Sequence, residues 1–299
     1  MSSLDRNHAK GLALTAIGGL TLTIDIPLIR LADGDKWSIL MVRSGLTVTV
    51  ALMAWFVMRR LAGRAPPLVP GRAGLAVAAL YALSALTFIT AVYNTSTANL
   101  VFMLAFNSMF AALLSWIFLK EQPRPATLMA MAAMLVGVTI IVGDSIGTGN
   151  LFGDVMALAA AFMLAAAITI TRGSGKEMGF ASLVAVALPF LVAAVMVGQS
   201  GFRIDAPLWI VLNGAVIIPV SFFCLATGPR YISAPEVAMF YLLETVLAPV
   251  WVWLIFREMP STQSLIGGTI LVSALVSHSL WQLNAGRRRR AAGAPRHPP

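Results

Sequence analysis

Charge is scarce in this chain. Only 11% of its 299 residues are Asp, Glu, Lys or Arg, where ordinary soluble domains carry about 25%. Apolar residues make up 59%, and the mean hydropathy is +0.85. Polar side chains are too few to coat a globule, which excludes a soluble protein. There is one cysteine, Cys224, so no internal disulfide can form and the redox compartment stays open. The three histidines, His8, His278 and His297, cannot be assembled into a metal cluster, and no HExxH string is present. Neither a metal nor a cofactor is expected. Ser174-Gly-Lys176 superficially resembles a phosphate loop, but Glu177 stands where Ser or Thr is required. No ATP-driven motor is therefore expected in this chain.

What the chain does have is long apolar runs bounded by charge, Gly or Pro. Ten are legible, over 11–30, 37–58, 73–92, 97–119, 126–143, 152–171, 181–199, 208–230, 234–256 and 262–282. Each can cross a hydrocarbon core of about 30 Å as a helix. Barrel strands would instead alternate over about ten residues. The reading is an all-α membrane protein with ten transmembrane helices. The first run follows Arg6, His8 and Lys10 as a secretory leader would, but no small-residue cleavage site is evident, so it reads as a span.

Basic residues orient these spans. With the N-terminus in the cytoplasm, sixteen fall inside, among them Arg59, Arg60, Lys120, Arg172, Arg230 and the run Arg287 to Arg290. Four fall outside, namely Arg30, Lys36, Arg203 and Arg257, while Arg43 lies within the second span and the longest outside connector carries Asp144. Both termini are expected in the cytoplasm. The net charge of +9 then belongs to cytoplasmic loops and a basic tail facing anionic lipid, not nucleic acid.

The chain also repeats itself. Trp116-Ile-Phe-Leu-Lys-Glu-Gln-Pro123 matches Trp253-Leu-Ile-Phe-Arg-Glu-Met-Pro260 without gaps, and Tyr93-Asn-Thr-Ser96 echoes Tyr231-Ile-Ser233. Two five-helix halves follow, over 1–146 and 147–284, with a basic cytoplasmic tail at 285–299. Five being odd, the second half enters the membrane upside down, making two inverted five-helix repeats. The repeated Lys-Glu-x-Pro and Arg-Glu-x-Pro ends, the five-plus-five spans and the early Arg43 together resemble the drug/metabolite transporter superfamily, EamA branch. Within that branch the chain is similar to bacterial amino-acid exporters of the YddG type. The resemblance implies a secondary transporter exporting neutral or aromatic amino acids by alternating access, with no catalytic step.

Ionisable residues inside spans are costly and mark cavities or partners. They are Asp25, Arg43, Glu236, Glu244 and His278. At a helical rise of about 1.5 Å per residue, Asp25 and Arg43 reach similar depth and read as an ion pair, either a gate or a lock between the first two spans. Glu244 lies near the middle of the ninth span, and the repeat offset sets Asn107 at the same depth in the fourth. Asn99 maps onto Glu236, so each helix carries a polar pair spaced i, i+8 on one face. Met103 and Phe106 lie between the first pair, Phe240 and Tyr241 between the second. Tyr81, Ser84 and Phe88 form a further stripe on the third span, brought near the others by the family resemblance. These residues are the candidate substrate site. Small residues at Ala126, Ala130, Gly137, Gly267 and Gly268 suit close helix contact, as scaffold or as a homodimer surface. Pro189, Pro219 and Pro249 are candidate kinks. Alternatives that remain are another solute on the same fold (a nucleoside, sugar derivative or drug) and an intramembrane enzyme using Asp25 or Glu244.

Overall fold

A computed structural model describes residues 3–61, 67–120, 125–176, 178–227, 234–257 and 259–293. Among these the chain is helical, joined at one isolated bridge between Gly34 and Ile204. The helices are α1 (Ser3–Leu22), α2 (Asp25–Leu31), α3 (Lys36–Leu61), α4 (Gly71–Val92), α5 (Thr97–Ala105), α6 (Asn107–Leu119), α7 (Pro125–Thr148) and α8 (Leu151–Ser174). There follow α9 (Gly179–Val184), α10 (Ala187–Ser200), α11 (Pro207–Leu212), a π-helical turn (Asn213–Ile217), α12 (Ile218–Thr227), α13 (Ala234–Phe256) and α14 (Thr262–Gly293). Eight stretches of the described residues are long and apolar enough to cross a bilayer, and α13 adds a shorter apolar stretch, Leu243–Phe256. This is a multi-pass membrane protein.

Four apolar runs that read as continuous are in fact interrupted. Proline accounts for three of the interruptions, because it cannot donate to the carbonyl four residues back. Pro27 leaves the Thr23 carbonyl without its helical donor, and α1 gives way to α2 across Thr23 and Ile24. Pro189 does the same for Ala185 between α9 and α10, and Pro219 for Ala215 within the π-helical turn. Pro189 and Pro219 thus lie just past breaks, while Pro249 alone of the three candidate kinks lies inside a continuous helix. The fourth break is one tightened step at Phe106, whose N–H donates to the Met103 carbonyl at 3.1 Å. A second correction concerns Asp144, expected in a connector. The seventh helix runs on to Thr148 and includes it, leaving Gly149, at φ +79°, and Asn150 as the joint to α8.

Helix pairs meet through small residues, as they must where lipid is as apolar as the side chains it replaces. At the crossing of α7 and α14 a Cβ on Gly137 would stand 2.6 Å from the Gly267 carbonyl oxygen, and one on Gly267 only 2.5 Å from that of Gly137. Gly19 lets α1 approach the Phe240 backbone of α13 in the same way. Two helix ends, one in each half of the chain, share a backbone signature. Lys120 caps α6 at φ 59°, and Arg257 follows α13 at φ 57°. A cation at a helix C-terminus also complements the exposed carbonyls there.

At one end of the bundle a belt of hydrogen bonds links the joint between α2 and α3 to the segment before α11. Asp35 N–H donates to Arg203 O (3.0 Å), Asp205 N–H to Asp33 O (2.8 Å) and Ala206 N–H to Ala32 O (3.0 Å). The Tyr93 hydroxyl donates to Gly34 O at 2.8 Å, and Arg30 to Thr95 O at 3.3 Å. Burial, with the Asp35 and Asp33 carboxylates nearby, pushes the Tyr93 phenol up to about 12. It therefore stays a donor throughout the physiological range.

Gly137→Leu should force α7 and α14 apart, at a cost of about 1–3 kcal/mol as for other overpacked sites. Thermal unfolding in detergent would then show a lowered midpoint, whereas Gly143→Leu, where a Cβ meets nothing within 4 Å, should leave it unchanged.

Candidate functional site

A cluster of buried polar side chains within the apolar bundle forms around Arg43 of α3. Its Nη2 donates to Asp25 Oδ2 at 2.8 Å and its Nε to Asn213 Oδ1 at 3.0 Å. Asn213 closes the triangle, donating through Nδ2 to Asp25 Oδ1 at 2.6 Å and to the Asp25 carbonyl at 3.2 Å. The side chains of Arg43 and Asp25 are 12% and 4% exposed, and Asn213 is fully buried. Local backbone explains the meeting: Asp25 opens α2 immediately after the break imposed by Pro27, and Asn213 opens the turn preceding Pro219. Gly214 admits α3, since a Cβ there would lie 2.7 Å from the Arg43 carbonyl oxygen. The Thr47 hydroxyl fixes the approach by donating to Gly214 O at 3.0 Å.

Two further groups address this triangle. The Phe88 ring of α4 faces the guanidinium, 5.4 Å from Cζ to centroid, a cation–π distance. Glu244 of α13, partly buried, lies within electrostatic reach of both Asp25 and Arg43. The constellation is thus two carboxyls, one guanidinium, one amide and one aromatic face, drawn from α2, α3, α4, the π-helical turn and α13.

The family model for EamA-like transporters matches the chain twice, over residues 9–143 and 151–279. The chain belongs to the EamA-like transporter family. Two curated relatives agree: the uncharacterized transporter YdfC of Bacillus subtilis (strain 168) is 28% identical over 56% of this chain and 57% of its own. The uncharacterized transporter sll1164 of Synechocystis sp. (strain ATCC 27184 / PCC 6803 / Kazusa) is 21% identical over 68% of this chain and 63% of its own. The match therefore spans about three fifths of each relative's length. A solved structure described only as a crystal structure of a protein superposes at a TM-score of 0.62 with 14% identity, covering 92% of this chain and 96% of that one. That likeness bears on fold alone. Membership of this family, within the drug/metabolite transporter superfamily, is what these findings establish.

The other residues singled out from the EamA-family sequence are dispersed. Ser84 donates to Ala160 O at 3.0 Å and binds α4 to α8, while Tyr81 packs on Val77, Ala167, Met178 and Ala181. Met103 and Phe106 are buried in the main apolar core, Phe106 with its ring 6.0 Å from that of Phe110. Asn107 begins α6 at the Phe106 break, and its Oδ1 is buried without a hydrogen-bond partner. Phe240 is partly buried on α13; Glu236 and Tyr241 lie on the same helix, their side chains outside the described residues, as are Glu121 and Glu258 of the repeated motif.

Asn99 is committed elsewhere. Its Oδ1 accepts from Ser264 at 2.6 Å, and its Nδ2 donates to Ser145 at 3.0 Å and to Asp154 at 3.4 Å. Asn213 and Asp154 were missed in the sequence because each stands alone in an apolar run. Asn213 had one usable signal, an Asn-Gly pair shortly before a proline.

Asp25→Asn takes from the Arg43 guanidinium its hydrogen-bonded carboxylate, and breaking a buried pair in this way costs about 3–5 kcal/mol. In a double-mutant cycle with Arg43→Met, the two single variants should lose more stability than the double variant. Additive losses would mean the two groups act independently.

Proposed function

We propose that this protein is a secondary transporter that exports neutral and aromatic amino acids across a bacterial inner membrane by alternating access. The observation that carries the reading is the charge balance around Arg43. Asp25 and Glu244 bring two carboxyls against one guanidinium, so with both ionised the site is one positive charge short. A substrate ammonium pairs with Glu244 in place of a proton, and only one of the two fits at a time, while the carboxylate of the zwitterion falls to Arg43.

The remaining geometry suits the rest of an amino acid. Arg43 carries five N–H donors, of which the described hydrogen bonds use two. The others are available to a carboxylate, and the Phe88 face beside them offers an apolar surface for an aromatic side chain. Small-molecule sites combine an apolar lining with a few such groups.

The architecture we propose is ten crossings in two inverted halves, residues 1–146 and 147–284, with both termini cytoplasmic. Support comes from the double family match, from the internal sequence repeat, and from the matching left-handed residues Lys120 and Arg257. Inverted halves let one central site open to either side in turn. Sixteen of the basic residues then face the cytoplasm. The YddG-type resemblance supports amino acids as the substrate class.

Proteoliposomes loaded or bathed with labelled phenylalanine, methionine, threonine and a sugar control would test this. Amino-acid flux above empty vesicles is expected, with Glu244→Gln reducing it by about tenfold or more, the equivalent of about 1.4 kcal/mol, while membrane insertion is unchanged. Folded protein that moves the sugar and none of the amino acids would overturn the substrate assignment.

A further inference from the structure

At the belted end of the bundle, Asp154 lies in the first turn of α8 and is fully buried. The Thr95 hydroxyl donates to its Oδ1 at 2.5 Å, and Ser145 Oγ lies 2.5 Å from its Oδ2. Asn99 of α5 bonds both Ser145 and Asp154 and accepts from Ser264 of α14, so one carboxyl ties together α5, α7, α8 and α14. Gly153 makes the contact possible: a Cβ there would stand 2.3 Å from the Asn94 carbonyl oxygen.

Counting hydrogens distinguishes the two states of the carboxyl. Ser145 Oγ has a single hydrogen and three close polar neighbours: Ile141 O at 3.0 Å, Asn99 Nδ2 at 3.0 Å and Asp154 Oδ2. When Asp154 carries a proton, it donates to Ser145, Ser145 donates to Ile141 O, and Asn99 donates to Ser145. Every contact then holds one hydrogen. When Asp154 is ionised, the Ser145 hydrogen turns to it and the Ile141 contact is left empty. A net negative charge also remains away from water. The charged groups facing the cluster are Asp144 of α7, which accepts from Ser261 beside Ser264 and adds a second negative charge, and Arg30 of α2, which donates to the Thr95 carbonyl.

We infer that Asp154 is a proton-binding residue of the transport cycle, a fastener that holds this end shut when protonated and releases it when ionised. The proton is taken from the water on that side of the membrane. The inference uses the reading of a transporter that opens at this end, but it does not depend on which solute is carried.

The test needs no substrate. Cys224→Ser removes the one cysteine of the chain, and Ala98→Cys then places a thiol on α5 beside the fastener, at a position 3% exposed. In nanodiscs, its labelling by a membrane-impermeant maleimide is measured from about pH 5.5 to about pH 8 and divided by that of Ser200→Cys, an exposed site. This ratio cancels the ordinary rise in thiolate. The expected ratio climbs about tenfold or more with pH, a population shift of about 1.4 kcal/mol, and becomes flat and low with Asp154→Asn. Ser145→Ala keeps the carboxyl but removes its acceptor, and should label fast at both ends of the range. A flat ratio in the parent, the same climb with Asp154→Asn, or a parent-like profile with Ser145→Ala would each overturn the inference.

Discussion

A guanidinium placed among membrane helices has to be enclosed by acceptors, and most of what is specific in this fold serves that need at Arg43. Its two described partners come from α2 and from the π-helical turn, both of which exist because a proline downstream withholds a backbone donor. The close approach of that turn to α3 requires Gly214, and the aromatic face comes from α4. An unbroken helix at either site would carry Asp25 or Asn213 around to a different face. The interruptions are therefore the means by which a polar triangle is assembled inside an apolar bundle, as broken helices do in other transporters.

The triangle by itself is a buried ion pair bridged by an amide, and such a pair adds little net stability. What makes it a site in our account is the further carboxyl of Glu244, which leaves the cluster short of one positive charge. The deficit gives alternating access something to exchange. Asp154 at the belted end poses the same problem in a different setting, a carboxyl surrounded by hydroxyls and an amide. Two carboxyls that each accept a proton, one central and one at the belt, would let occupancy and closure answer to the same proton supply.

The sequence and the structure agree where periodicity and length decide the outcome. Apolar runs long enough to cross a bilayer specify membrane helices whatever their neighbours, and the family resemblance rested on motifs that the double match accommodates. The interruptions were less legible, because a proline inside an apolar run marks where a donor is missing without showing whether the helix bends, tightens or widens. Pro27 illustrates this: it withholds the donor that Thr23 would need and divides the first run in two, yet it reads as one more apolar residue. The charged residues Asp25, Arg43 and Glu244 stood out against apolar runs, although Asp154, also charged, was missed. Asn213 was not legible, since it gains its meaning from α3, a helix in the other half of the chain. Asn99, alike to Asn107 in the sequence, has its amide fully engaged at the belt.

The central claim is that Glu244 holds one cation at a time, either a proton or a substrate ammonium. It is tested most directly by measuring proton release with a pH-sensitive dye when phenylalanine is added to purified protein in weakly buffered detergent solution. The account predicts about one proton released per amino acid bound, and none from the Glu244→Gln variant. Saturable binding of phenylalanine with no proton released, across a range of starting pH, would contradict it.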